Sequence, residues 1–199
     1  MLWADIYQRH FQHYFAKPFD IQIFHDPHGA SLKLATYDGA LSGYRVYASM
    51  GLADRIAADA EDEGEGEGEG EGEGDAFGEA ILFSDVPDKE PPRLFVNALF
   101  FILHQKIPLD ARFAVGFTDL QCEFAWRYRK TAFYFTRGKG PDERFDKVRR
   151  GERFGRVFQA YFITPEEDRF LEAYGADAFE EEFAKQDGDK LSVRRQSCV

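Results

Sequence analysis

Hydrophobic and polar positions change period several times along the chain, and each change marks an element. Trp3, Ile6, Tyr7, His10, Phe11, Tyr14 and Phe15 recur at helical spacing, which predicts an amphipathic helix over residues 3–16 that stops before Pro18. Alternation then takes over in residues 20–24, 32–37 and 44–49, giving three strands with turns at residues 25–29 and 38–39. These strands read as a meander. Residues 80–83 make another strand, and residues 87–92 lead into a helix over 93–106, RLFVNALFFILHQK. That helix is apolar on almost every face, so it is expected to be packed on both sides. Residues 113–117, 122–128 and 131–136 follow as aromatic-rich strands. Residues 137–153, RGKGPDERFDKVRRGER, read as an exposed polar excursion.

The least ambiguous stretch is 157–184, VFQAYFITPEEDRFLEAYGADAFEEEFA. Val157, Phe158, Tyr161, Phe162 and Ile163 suit a buried strand, being β-branched or aromatic. Thr164, Pro165 and Glu167 then spell a helix start: a side-chain cap, a proline at the first turn, and a glutamate three residues after the cap that can reach back to its N–H. Phe170, Leu171 and Tyr174 form an apolar face, Gly175 supplies a left-handed stop, and Phe179 and Phe183 lie four apart on a second short helix. Strands interleaved with a few helices predict a single α+β domain, a mixed or antiparallel sheet packed with α-helices, over residues 1–186. A polar tail over 187–199 is expected to fray.

Composition alters this picture at one place. The formal charge of −11 comes almost wholly from residues 59–75, DAEDEGEGEGEGEGEGD, with ten acids and no bases; the remainder holds 26 acids against 25 bases. Such a segment is a solvated low-complexity insertion, because it has no apolar surface to bury and its charges repel. It is not a calcium loop. Asp59, Glu61, Glu63 and Gly64 mimic the spacing, but the final ligand position is Gly70 where a carboxylate is required. A dense anionic loop favours a basic protein partner and disfavours nucleic acid. No apolar run is long enough for a membrane span and no secretory leader is evident, so a cytoplasmic protein is expected.

Candidate chemistry is sparse. The chain has no phosphate-binding GxxxxGK[ST] loop, no GxSxG elbow and no HExxH helix, so neither catalysis nor a cofactor is expected. His10 and His13, and again His25 and His28, stand three apart without a third ligand set, and Cys122 and Cys198 form neither a disulfide framework nor a zinc pattern. No metal site is expected. Whether His10, His13, His25, His28 and His104 gather around a carboxylate is the point on which an enzymatic reading turns.

Five blocks in order do carry a resemblance: YQRHF near the start, YASMGLAD, GEAILFSDVPD, an apolar helix, and FITPEEDRFLEAYGADAFEEEF. Together they resemble the suppressor-of-fused-like domain family. Ser49, Met50, Gly51, Leu52 and Ala53 stand for that family's "T-x-G-[ML]-S" segment, residues 79–82 for its "E-L-x-L" strand, and residues 162–167 for its "P-I-[TS]-x-x-E" turn, with Thr164 and Pro165 in a departing order. The resemblance implies a compact α/β sandwich-like domain that works by binding another protein. Stand-alone bacterial relatives look like immunity proteins that neutralise a cognate toxin. A scaffold or regulator, or an enzyme, are the alternatives. Asp85, Asp88, Trp126 and Tyr128 are the candidate partner-binding residues on this reading, each with a structural alternative.

Overall fold

The structure is a computed structural model that describes residues 2–41, 43–56, 78–117, 122–186 and 189–199. The Glu–Gly alternation lies outside the described residues. Elements run in the order α1 (Trp3–Phe15), β1 (Asp20–His25), β2 (Ser31–Leu41), β3 (Tyr44–Met50), β4 (Gly78–Ser84), α2 (Glu90–Gln105), β5 (Phe113–Gly116), α3 (Glu123–Tyr128), β6 (Ala132–Arg137), β7 (Lys147–Arg150), β8 (Arg153–Ile163) and α4 (Pro165–Lys185). A helical turn at residues 52–56 follows β3, and a 3-10 turn at Leu109–Ala111 precedes β5.

The strands form one sheet of order β1-β2-β3-β4-β8-β6-β5, with β7 paired to β8 off that path. Among the described strands only β4 with β8 is parallel; the other pairings are antiparallel. The fold is therefore α+β with a mixed sheet, and the first three strands are the expected meander.

Side-chain alternation divides the core between the two faces of the sheet. Leu32, Leu34, Tyr47, Ala80, Leu82, Phe133, Phe135, Phe158 and Phe162 turn towards α2 and α3. Ala35, Tyr37, Val46, Ala48, Ile81, Phe83 and Val157 turn the other way, under Trp3, Tyr7, Phe11 and Phe15 of α1. Further along that second face, Ala132, Tyr134 and Ile163 meet Leu171, Phe179 and Phe183 of α4. Both faces of the central strands are thus covered, and all of β4 is buried. The nearly all-round apolarity of α2 has the same origin: eight of its residues, Leu94, Phe95 and Leu99 among them, are buried.

The capping box at Thr164 forms as expected. Thr164 Oγ1 accepts from Glu167 N–H at 3.3 Å, and Thr164 N–H donates to Glu167 Oε2 at 2.8 Å. Gly175, at φ 81°, breaks α4 into two helical stretches. His10 packs beside Phe11, Tyr14 and Phe145 and meets Phe145 O at 2.8 Å, a structural position in which burial lowers its pKa.

Four expectations are corrected. Residues 122–128 are not a strand, since Glu123–Tyr128 is a helix. Helical spacing sets Phe124 against Tyr128, ring centroids 4.9 Å apart, and sends Trp126 outward. The excursion at 137–153 contains β7, which folds back on β8, with Phe145 and Val148 buried. Asp38 and Gly39 do not turn the chain: β2 continues to Leu41 with a register shift between Asp38 and Leu41. Residues 189–199 do not fray, because Val193 is fully buried and Arg195 is tied into the capping box.

Candidate functional site

Two buried carboxylates organise the ends of the sheet. Glu79 lies in the wholly buried β4, where an ionisable group needs partners. Ser49 Oγ–H donates to its Oε2 at 2.6 Å and Leu52 N–H to the same oxygen at 3.2 Å; Gly51 and Ala53 N–H reach Oε1 at 2.7 and 3.2 Å. Gly51, at φ 101°, makes the turn that lets these N–H groups converge at the start of helical residues 52–56. Ser49 Oγ in turn accepts from Ala80 N–H at 2.8 Å. Burial nonetheless pushes the Glu79 carboxyl up to about 7, against the pull of those donors. One turn on, Asp54 accepts from Trp3 and Ala4 N–H at 2.7 and 2.9 Å and so caps α1.

Glu167 is the second. Its carboxylate pairs with the Arg195 guanidinium, which also donates to Phe162 O at 2.6 Å, and it accepts from Cys198 N–H at 3.0 Å. Burial alone would raise its pKa; the hydrogen bonds and charge of Arg195 outweigh that and lower it. Lys130, buried beside them, donates to Arg195 O at 3.0 Å, and burial, with Arg195 nearby, lowers its pKa to about 8. The C-terminal segment is clamped to the body by this cluster. Asp85 adds a second clamp, accepting from Ser192 Oγ–H at 2.6 Å and Val193 N–H at 2.9 Å.

Between α3, the start of α4 and this segment lies a groove of about 520 Å³, lined by Arg127, Tyr128, Arg129, Glu166 and Arg194 among others. Arg129 reaches Glu166 at 3.1 Å, and Arg127 is held by Glu123 and lies 3.8 Å from Asp88. Asp88 also accepts from Glu90 N–H at 3.1 Å at the start of α2. Trp126, on the same short helix as Arg127 and Tyr128, is 82 % exposed. The four residues picked from the sequence therefore divide. Tyr128 lines the groove and Trp126 stands exposed on the same short helix without lining it, whereas Asp88 braces Arg127 and Asp85 holds down the segment that supplies a wall. Arg127, Arg129 and Arg194 were missed; only the Trp-Arg-Tyr-Arg run at 126–129 hints at them.

None of the five histidines lines this groove, but His104 does meet a carboxylate, at the β1–β2 turn. His104 pairs with Asp26, His28 meets His104 edge to face at a centroid distance of 5.1 Å, and Asp26 accepts from His28 and Ala30 N–H at 3.0 and 2.6 Å. Asp26 thereby shapes the β1–β2 turn and ties it to the end of α2. Although burial acts to raise its pKa, these hydrogen bonds lower it. Among the described residues no three His, Cys, Asp or Glu side chains are placed to share a metal ion, and no helix is long and apolar enough to cross a membrane.

No protein-family model matches the chain, and no curated protein matches it in sequence. Solved structures do match. The crystal structure of a suppressor of fused (SUFU) homolog from Neisseria gonorrhoeae aligns over 99 % of this chain and 97 % of its own, with a TM-score of 0.70 at 16 % identity. The Sufu–Fu complex contains a chain that aligns over 99 % of this one and 92 % of its own, with a TM-score of 0.61 at 12 % identity. The likeness is one of fold: this chain has the suppressor-of-fused fold, as its sequence blocks implied.

Proposed function

We propose that this chain is a non-enzymatic binding protein, and specifically an immunity protein that neutralises a cognate bacterial toxin by stoichiometric binding in the cytoplasm. The observation that carries the reading is Trp126, 82 % exposed beside a groove lined by Arg127, Tyr128, Arg129 and Arg194. Trp, Tyr and Arg are the residue types that dominate binding energy at protein interfaces. That a chain of the same fold was crystallised as the Sufu–Fu complex agrees with a binding role. In this reading Trp126 and Tyr128 are anchors, Asp88 orients Arg127, and Asp85, by holding Ser192 and Val193, keeps the following wall at residues 194–197 in place. The acidic residues of 59–75 steer a basic toxin towards the chain by long-range attraction.

The test is co-purification of tagged protein from its native host, with toxicity of the recovered partner measured with and without this chain. A one-to-one complex that suppresses toxicity is expected, weakened by at least about tenfold in Trp126→Ala. Deleting residues 61–74 should slow association and flatten its salt dependence. Recovery of only a transcriptional or metabolic complex refutes the toxin reading.

A further inference from the structure

The groove beside α3 is basic, although the chain as a whole is acidic. Its lining holds four arginines, Arg127, Arg129, Arg194 and Arg195, against one carboxylate, Glu166. Behind the wall the buried bases Lys130 and Arg195 share the carboxylate of Glu167, and the charges of Arg195 and Arg129 both act against the proton on Lys130. The four arginines differ in what already holds them. Arg195 is turned inward onto Glu167 and Phe162 O, and Arg127 is held by Glu123 with Asp88 3.8 Å away. Arg129 pairs with Glu166 at 3.1 Å, a carboxylate that Arg169 also approaches at 3.9 Å. Arg194 is exposed and pairs with no carboxylate among the described residues. Two guanidinium groups on different walls, Arg129 at the end of α3 and Arg194 in the C-terminal segment, thus keep donors to spare.

This charge lies far from where the chain leaves the acidic insertion. Gly78, the first described residue after it, pairs with Arg156, whereas the groove opens beside Thr164, just past the far end of β8. From Arg156 to Thr164 an extended chain advances about 25 Å. That is about three Debye lengths at physiological salt, so the groove keeps its own sign.

We infer that the groove receives a short acidic segment of the partner protein, with carboxylates seated on Arg129 and Arg194 and a neighbouring apolar side chain covering Trp126. This deepens the proposal that the groove is the partner's site and rests on it. A guanidinium presents a planar fork of donors that a carboxylate can accept two at a time. Phosphate fits the same fork, but two features favour a protein segment. Trp126 is 82 % exposed one helical turn before Arg129, and a free anion gives it nothing to bury against. A nucleic acid would bring a run of phosphates to a chain of formal charge −11. Steering and seating then act on different parts of one partner: overall charge draws in its basic body, and the groove reads one acidic segment on it.

Panning the full chain against a random dodecapeptide library displayed on phage tests this. Enriched peptides should carry Asp or Glu beside Leu, Ile, Val or Phe, and fluorescence anisotropy of a labelled synthetic copy gives the affinity. Binding should fall at least about tenfold in the paired variant Arg129→Gln with Arg194→Glu, and by a similar factor when Asn and Gln replace the peptide's acids. Lys147→Glu on β7 reverses a charge elsewhere and should leave binding within about twofold. All three side chains are exposed, so circular dichroism should stay unchanged. Enriched peptides without an acidic bias overturn the inference, as does acidic binding that survives the paired variant. Displacement of the peptide by an equal concentration of inorganic phosphate, or of a short single-stranded oligonucleotide, overturns it too. The two proposals fail separately. If acidic selection is absent while Trp126→Ala still weakens the co-purified complex, the acidic segment alone is refuted; if acidic peptides bind through Arg129 and Arg194 but no toxic partner is recovered, the toxin reading is refuted and the acidic segment stands.

Discussion

Glu79→Gln separates two opposing influences on one buried group. The side chain keeps its size and loses its charge. In the folded protein burial raises the carboxyl from the ordinary 4.5 to about 7, while four donors favour the anion. A raised folded pKa means that the folded state holds its proton more tightly than the unfolded chain does. Stability from this group is therefore full below the unfolded value and is lost as pH rises through the folded one. Between about pH 4.5 and 7 the loss is about 1.4 kcal/mol per unit, or about 3 kcal/mol in all. Glutamine has no such dependence. Its NH2 group, placed against Ser49, leaves the Leu52 N–H without an acceptor, at a cost of about 1–3 kcal/mol. Urea unfolding followed by circular dichroism at pH 5 and pH 8 measures the balance. Glu79→Gln should be less stable than wild type by about 1–3 kcal/mol at pH 5 and as stable or more so at pH 8. A destabilisation that grows with pH would refute this, because it would mean that the converging N–H groups win and the carboxylate is ionised well below pH 7.

Other outcomes follow from the same contacts. Ser49→Ala removes a donor to Glu79 and the acceptor of Ala80 N–H, and should lower unfolding free energy by about 1–3 kcal/mol while raising the Glu79 pKa further, read from the pH dependence of urea midpoints. Arg195→Ala strands Glu167 in the interior; about 3–5 kcal/mol should be lost, and limited proteolysis should release residues 189–199 first. The depressed Glu167 pKa also predicts that wild-type stability falls with acidification through and below the ordinary carboxylate range, a slope that Arg195→Ala flattens. Gly78→Ala puts a Cβ 2.0 Å from Arg156 O, across the β4–β8 pair, and should cost at least about 1–3 kcal/mol in thermal or urea unfolding.

Much of this fold is legible where one local rule acts alone. The meander, the Thr164 capping box and the Gly175 break each depend on residues within one turn or one strand of each other. Misreadings arise where two periods fit equally well or where the deciding partner is distant. Phe124, Trp126 and Tyr128 alternate as a strand would, yet the 124/128 pairing is equally helical, and the helix wins by burying Phe124 with the half-buried Tyr128 packed against it. In 137–153 two buried side chains, Phe145 and Val148, are hidden among charges, and they become core only because α1 lies over them. The tail is polar to the eye. Its order comes from Asp85 and Glu167, which lie 108 and 28 residues away from their partners Val193 and Arg195. Of the site, Trp126 and Tyr128 stand out as aromatics, but the arginines around them acquire meaning only when α3, α4 and residues 194–197 converge.

The blocks that carry the resemblance have a common physical role, and that role explains what they convey. Ser49, Gly51, Leu52 and Ala53 form a cradle of donors, and Glu79, from the next block, fills it; Thr164 and Glu167, from the last, close a helix start and grip Arg195. Each is a buried polar junction, where a half-satisfied partner costs more than a changed apolar contact. Such junctions tolerate few substitutions whatever the protein binds. A fold can therefore stay recognisable at 16 % identity while its surfaces diverge. Specificity must then be written on residues outside these blocks. Trp126, Arg127, Arg129 and Arg194 all lie outside them, and none is required to close the core. Substitutions there should leave unfolding free energy within about 0.5 kcal/mol of wild type and change only association. The junction variants should do the reverse.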